Sequence, residues 1–114
     1  MLDARQLEAW ERDGFVILRA FADPATGYAM ERETIDAIRA DPPAAHHGER
    51  GYVLANGMLI QPEGKTPQGA VAPEDYVAKV FNTHLAGAAH DFATSTTAAD
   101  LVAQLLGDDI DVFQ

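Results

Sequence analysis

Two apolar runs, Tyr52-Val53-Leu54-Ala55 and Met58-Leu59-Ile60-Gln61, flank the dipeptide Asn56-Gly57 near the middle of the chain. No other stretch restricts the fold so tightly. Asn-Gly is the pair that best adopts the two left-handed positions of a tight hairpin turn, and the runs on either side have strand-like length. An antiparallel hairpin is therefore expected in a chain whose other strong signals are mainly helical.

The first helix is marked at both ends. Asp3 can cap the free N–H groups, Gln6 can reach back to it, and Leu2 and Leu7 take the positions of a hydrophobic staple. Leu7 and Trp10 supply an apolar stripe, and Gly14 tolerates the left-handed conformation after the last turn, so a helix is expected over about Ala4–Asp13. Phe15-Val16-Ile17-Leu18 is short, wholly apolar and rich in β-branched residues, which predicts a strand. Asp23-Pro24 then opens a second helix, with Tyr28, Ile35 and Ile38 at helical spacing, that Asp41-Pro42-Pro43 ends. Loops are expected over Pro42–Gly51 and Pro62–Pro73.

Between Tyr76 and Leu85 the pattern fits a helix through Val77, Val80 and Phe81, and equally a strand through Val80-Phe81-Asn82-Thr83-His84. Thr97-Ala98-Ala99-Asp100 has the form of a capping box before Leu101, Val102, Leu105 and Leu106, which predicts a helix that Gly107 stops. Ile110-Asp111-Val112-Phe113-Gln114 alternates like a half-buried strand. The chain stops within that alternation, which points to a domain continued beyond it. The fold expected is α+β in a single segment, residues 1–114.

The 114 residues carry 8 Lys and Arg against 18 Asp and Glu, a formal charge of −10 that repels nucleic-acid phosphates and anionic lipid. With 47% hydrophobic and 23% charged residues the chain is expected to pack rather than remain disordered. It contains no cysteine, which excludes a disulfide framework and thiolate metal sites. The charged first eleven residues do not resemble a signal peptide and no run reaches membrane-spanning length, so a cytoplasmic protein with neither nucleic acid nor membrane as partner is expected.

Few residues suggest chemistry. His47-Gly48-Glu49 has the spacing of half of a two-histidine, one-carboxylate iron site, with His84 or His90 as a third ligand. A proline-bounded polar loop is a poor platform for such ligands, which need rigid elements and supporting hydrogen bonds, so His47 reads as a solvated loop residue. His90-Asp91 are adjacent and point different ways, while Glu74-Asp75 and Asp108-Asp109 read as solvated charges. Trp10, Phe15 and Phe21 read as core. Neither a catalytic residue nor a metal ligand is assigned. Lys79 stands among Tyr76, Val77, Val80 and Phe81, where a lone cation either reaches out to water or faces an anionic ligand.

Taken together, Leu7–Leu18, Asp23–Thr26, Lys79-Val80-Phe81-Asn82 and Leu105–Gln114 resemble, in order, the N-terminal part of the phytanoyl-CoA dioxygenase family of non-haem iron(II), 2-oxoglutarate-dependent oxygenases. The resemblance implies the N-terminal helices and first strands of a double-stranded β-helix, or jelly roll. It also implies that the His-x-Asp pair, the distal histidine and a cosubstrate cation lie downstream of this chain. In the family a lysine at the position of Lys79 can contact 2-oxoglutarate, so Lys79 is the one cofactor-binding candidate and His84 a weaker candidate for the pocket wall. The activity implied is hydroxylation of a small organic substrate by the completed enzyme, this chain alone being inactive. The rival expectation is a small non-catalytic binding or regulatory module with an acidic surface for a protein partner. Self-association through the C-terminal strand is expected if its edge stays unpaired.

Overall fold

The computed structural model describes residues 1–113 as four helices and one three-stranded antiparallel sheet. Helix α1, Ala4–Asp13, begins with the expected reciprocal cap: the Gln6 N–H donates to Asp3 Oδ1 at 2.9 Å and the Asp3 N–H donates to Gln6 Oε1 at 2.9 Å. Gly14 closes it with φ of 76°. Leu2, just before the cap, is buried, and its N–H donates to Gln104 Oε1 at 2.8 Å, which ties the start of the chain to the last helix. Helix α2, Pro24–Ala40, follows the Asp23 cap and buries Ile38.

The hairpin forms from β1, Tyr52–Val53, and β2, Leu59–Pro62, and β3, Val77–Phe81, pairs with the other side of β2. Of the stretch Tyr76–Leu85 that sequence left open between helix and strand, Val77–Phe81 is thus strand, but the strand read as far as His84 stops at Phe81, because Asn82 is left-handed and Thr83–Leu85 form a 3₁₀ turn. The turn differs in detail from the two-residue form expected. The Gly57 N–H donates to the Leu54 carbonyl, and only Gly57 is left-handed, with φ of 91°, so a three-residue loop ends in a glycine bulge. Asn56 contributes its side chain instead, its Oδ1 accepting from the Met58 N–H at 3.1 Å.

Strand pairing assigns side chains to faces. Tyr52, Ile60 and Val80 lie opposite one another on one face, and Val53, Leu59 and Phe81, with Gln61 across from Lys79, lie on the other. The first face packs with Ile38, Leu54 and Met58 into the core, where Ile60 is fully buried and Ala37, Val77 and Val80 close the margin. No side chain of the second face is buried, and Val53 is 63% exposed.

Several expectations are corrected. Phe15–Leu18 is not a strand: nothing pairs with it, and Phe15 and Ile17 are 58% and 67% exposed, so apolar β-branched composition had no neighbouring strand to act on. Phe15 is accordingly not core, whereas Trp10 is half-buried and Phe21 meets Phe92 edge to face at 5.9 Å. Residues 110–113 likewise form no strand and stay exposed, and Gln114, the last residue of that expectation, lies outside the described residues. Helix α3, Gly87–Ala93, was not expected at all. Helix α4, Thr96–Leu106, forms as expected, but Ser95 caps it through the Ala98 N–H rather than Thr97.

The molecule is elongated, 50 × 26 × 26 Å, with a radius of gyration of 17.3 Å. A compact chain of this length would have about 13 Å. Its accessible surface of 8228 Å² likewise exceeds the roughly 6,100 Å² expected of a compact monomer of this mass. Among the described residues no helix is long and apolar enough to cross a membrane.

Candidate functional site

A concavity of about 760 Å³ lies between the loop after α2 and the loop joining β2 to β3. Pro42, Pro43, His46 and Glu49 form one wall, and Pro62, Lys65, Val71, Pro73 and Tyr76 the other. Both walls are fixed by identifiable contacts. On the second, one Asp75 oxygen accepts from the Val71 and Ala72 N–H groups at 2.9 Å each, which holds the Asp75 carboxyl below its ordinary range. Glu74 beside it pairs with Arg39 of α2, the Arg39 Nε donating to Glu74 Oε2 at 3.0 Å, and this contact lowers the Glu74 pKa. The acid pair that sequence assigned to solvent is thus structural.

On the first wall a short 3₁₀ turn, Pro43–His46, places the His46 ring flat over Tyr52, with centroids 3.7 Å apart and planes 10° from parallel. His46 Nε2 is 2.7 Å from Asp41 Oδ1, and Nδ1 is 3.0 Å from Glu49 Oε2. The Tyr52 hydroxyl donates to the Asp41 carbonyl at 2.8 Å, so the buried tyrosine fixes both the ring and the residue that faces it. The Asp41 hydrogen bond raises the His46 pKa above its ordinary value against the opposing effect of partial burial, with Glu49 adding to the rise. Burial, then the Asp41 and Glu49 carboxylates, raises the Tyr52 phenol.

Sequence reasoning weighed His47 beside Glu49 for the spacing of metal ligands, read it as a solvated loop residue, and did not single out His46. The available signal was the separation of His46 from Glu49 by three residues and from Asp41 by five. His47 lines the cavity rim but is exposed. His84 lies in a 3₁₀ turn, Thr83–Leu85, after the left-handed Asn82, and its buried Nδ1 has no hydrogen-bond partner among the described residues. His90 is on α3, 3.4 Å from Asp91. Among the described residues no three His, Asp or Glu side chains are placed to hold a metal ion.

Lys79 lies on the open face of the sheet, exposed, opposite Gln61, with no carboxylate within 4 Å among the described residues. It does not line the cavity. No protein-family model, curated protein or solved structure matches the chain.

Proposed function

We propose that this segment is the N-terminal part of an iron(II), 2-oxoglutarate-dependent dioxygenase of the phytanoyl-CoA dioxygenase type, acting in the cytoplasm on a small organic substrate. Its open sheet face adjoins the catalytic half of the jelly roll. The observation that carries the reading is that face: Lys79, with no carboxylate partner among the described residues, stands on β3 two residues before Phe81, in a sheet whose other side is already packed on α2. A free ammonium is a suitable donor to a carboxylate of 2-oxoglutarate, and the Gln61 amide across the strand can supply a second donor. The surface excess over a compact monomer supports the same reading, since it leaves area for a covering layer. Iron with 2-oxoglutarate would activate dioxygen, the oxidant, with 2-oxoglutarate decarboxylated to succinate; the iron's ligands would be residues outside this segment, and this chain would contribute carboxylate binding alone.

The test is turnover by the gene product that contains this segment, supplied with iron(II), ascorbate and oxygen and followed by succinate formation. Succinate released in proportion to 2-oxoglutarate consumed is the expected result. A product that neither turns over 2-oxoglutarate nor binds it overturns the reading, and favours the non-catalytic binding module for which the preformed cavity is the natural ligand site.

A further inference from the structure

Both nitrogens of His46 face carboxylate oxygens, Asp41 at 2.7 Å and Glu49 at 3.0 Å. A neutral imidazole has one N–H and one lone pair, so in either tautomer one of these contacts sets a lone pair against an anionic oxygen. Only the imidazolium donates to both. Its charge also gains from the face of the Tyr52 ring beneath it. The two carboxylates are not equally free to leave. Asp41 is held through its carbonyl by the buried Tyr52, whereas Glu49 is on an exposed loop with its side chain 54% exposed. Loss of the proton therefore releases Glu49, and with it the stretch that walls the cavity.

We propose that protonation of His46 closes the 42–49 wall of the cavity and that its deprotonation opens it, so that access to this concavity follows pH. Other charged groups line the same concavity or flank its walls, Arg50 next to Glu49 among them. Glu74 is paired with Arg39, Asp75 with backbone N–H groups, and Glu63, Lys65 and His47 line the rim. The device is independent of the proposed oxygenase activity, because every group in it belongs to this segment and its readout needs no turnover.

The test is an NMR titration of the labelled 114-residue chain, reading the His46 ring together with amide exchange at Ala45 and Glu49, whose N–H groups donate to Pro42 and His46 within this wall. After correction for the intrinsic rate, protection at these amides should fall about tenfold or more through the His46 midpoint, which lies above the ordinary histidine value. Asp41→Asn is the decisive variant: its amide can donate to the Nε2 lone pair while Nδ1–H serves Glu49, so a neutral ring is satisfied at both ends. In Asp41→Asn the His46 midpoint should fall and protection should persist at high pH. His46→Phe keeps a ring over Tyr52 without donors and should be unprotected throughout. Protection in the wild type that ignores the His46 midpoint, or the same pH-dependent loss in Asp41→Asn, overturns the proposal. The Asn variant keeps the backbone carbonyl that Tyr52 holds, so it decides the matter even if the Phe variant does not fold.

Discussion

Single residues carry unequal shares of this fold. Ile60, fully buried at the centre of the sheet, has no exposed edge along which a truncation could relax, and Ile60→Ala should cost about 2–5 kcal/mol by urea unfolding. At Gly57 the left-handed backbone and the Leu85 side chain, 3.1 Å from an added Cβ, both oppose a side chain, so Gly57→Ala should cost at least about 1–2 kcal/mol. His46 gives stability a pH dependence of definite sign. Its folded pKa is raised above 6.5, so its contribution is fully present below about that value and is lost as pH rises through the folded value. The urea midpoint of the wild type should decline through that window, whereas that of His46→Phe should not; parallel profiles would contradict the assignment. The turn glycine was legible because a hairpin turn is local chemistry. His46 was not, because which of two adjacent histidines turns inward depends on the 3₁₀ turn before it and on a tyrosine in the next strand.

Elements show the same division between local and distant causes. Helix α1 was legible to the residue because Asp3, Gln6 and Gly14 terminate it from within its own sequence. Helix α3 was invisible because its cap comes from elsewhere: Glu33 of α2, 55 positions away, accepts from the Ala88 N–H at 2.7 Å. A Cβ at Gly87 would collide with that carboxylate, and Gly87 is also left-handed, so Gly87→Ala should remove the contact and destabilise by about 2 kcal/mol, with lost helical circular dichroism. An unchanged spectrum and midpoint would mean that α3 does not depend on Glu33. Phe15–Leu18 and residues 110–113 mark the limit from the other side. Their composition suits strands, but a strand is completed by a partner, and none of the described residues supplies one.

The whole molecule is longer and more exposed than a chain that closes its own core, and its exposed apolar side chains include Phe15, Ile17, Val53, Val112 and Phe113. At high concentration such surface should find itself, so the light-scattering mass of the 114-residue chain should rise with concentration, and Val112→Lys with Phe113→Lys should reduce the rise. A concentration-independent monomer would mean that these side chains are satisfied without a partner. The α+β class was legible from helix caps and one turn, whereas the open sheet face could not be read, because it follows from the register of three strands. That face bears the central proposal, that Lys79 holds a carboxylate of 2-oxoglutarate in the proposed dioxygenase. The most direct measurement is anaerobic calorimetry of 2-oxoglutarate on the iron-loaded gene product containing the segment, wild type against Lys79→Ala. The expected result is 2-oxoglutarate affinity weaker by about 1.5–3 kcal/mol, roughly tenfold to more than a hundredfold, with iron affinity unchanged. Equal 2-oxoglutarate affinity in the two proteins would contradict it and leave Lys79 as a solvated cation on an open sheet.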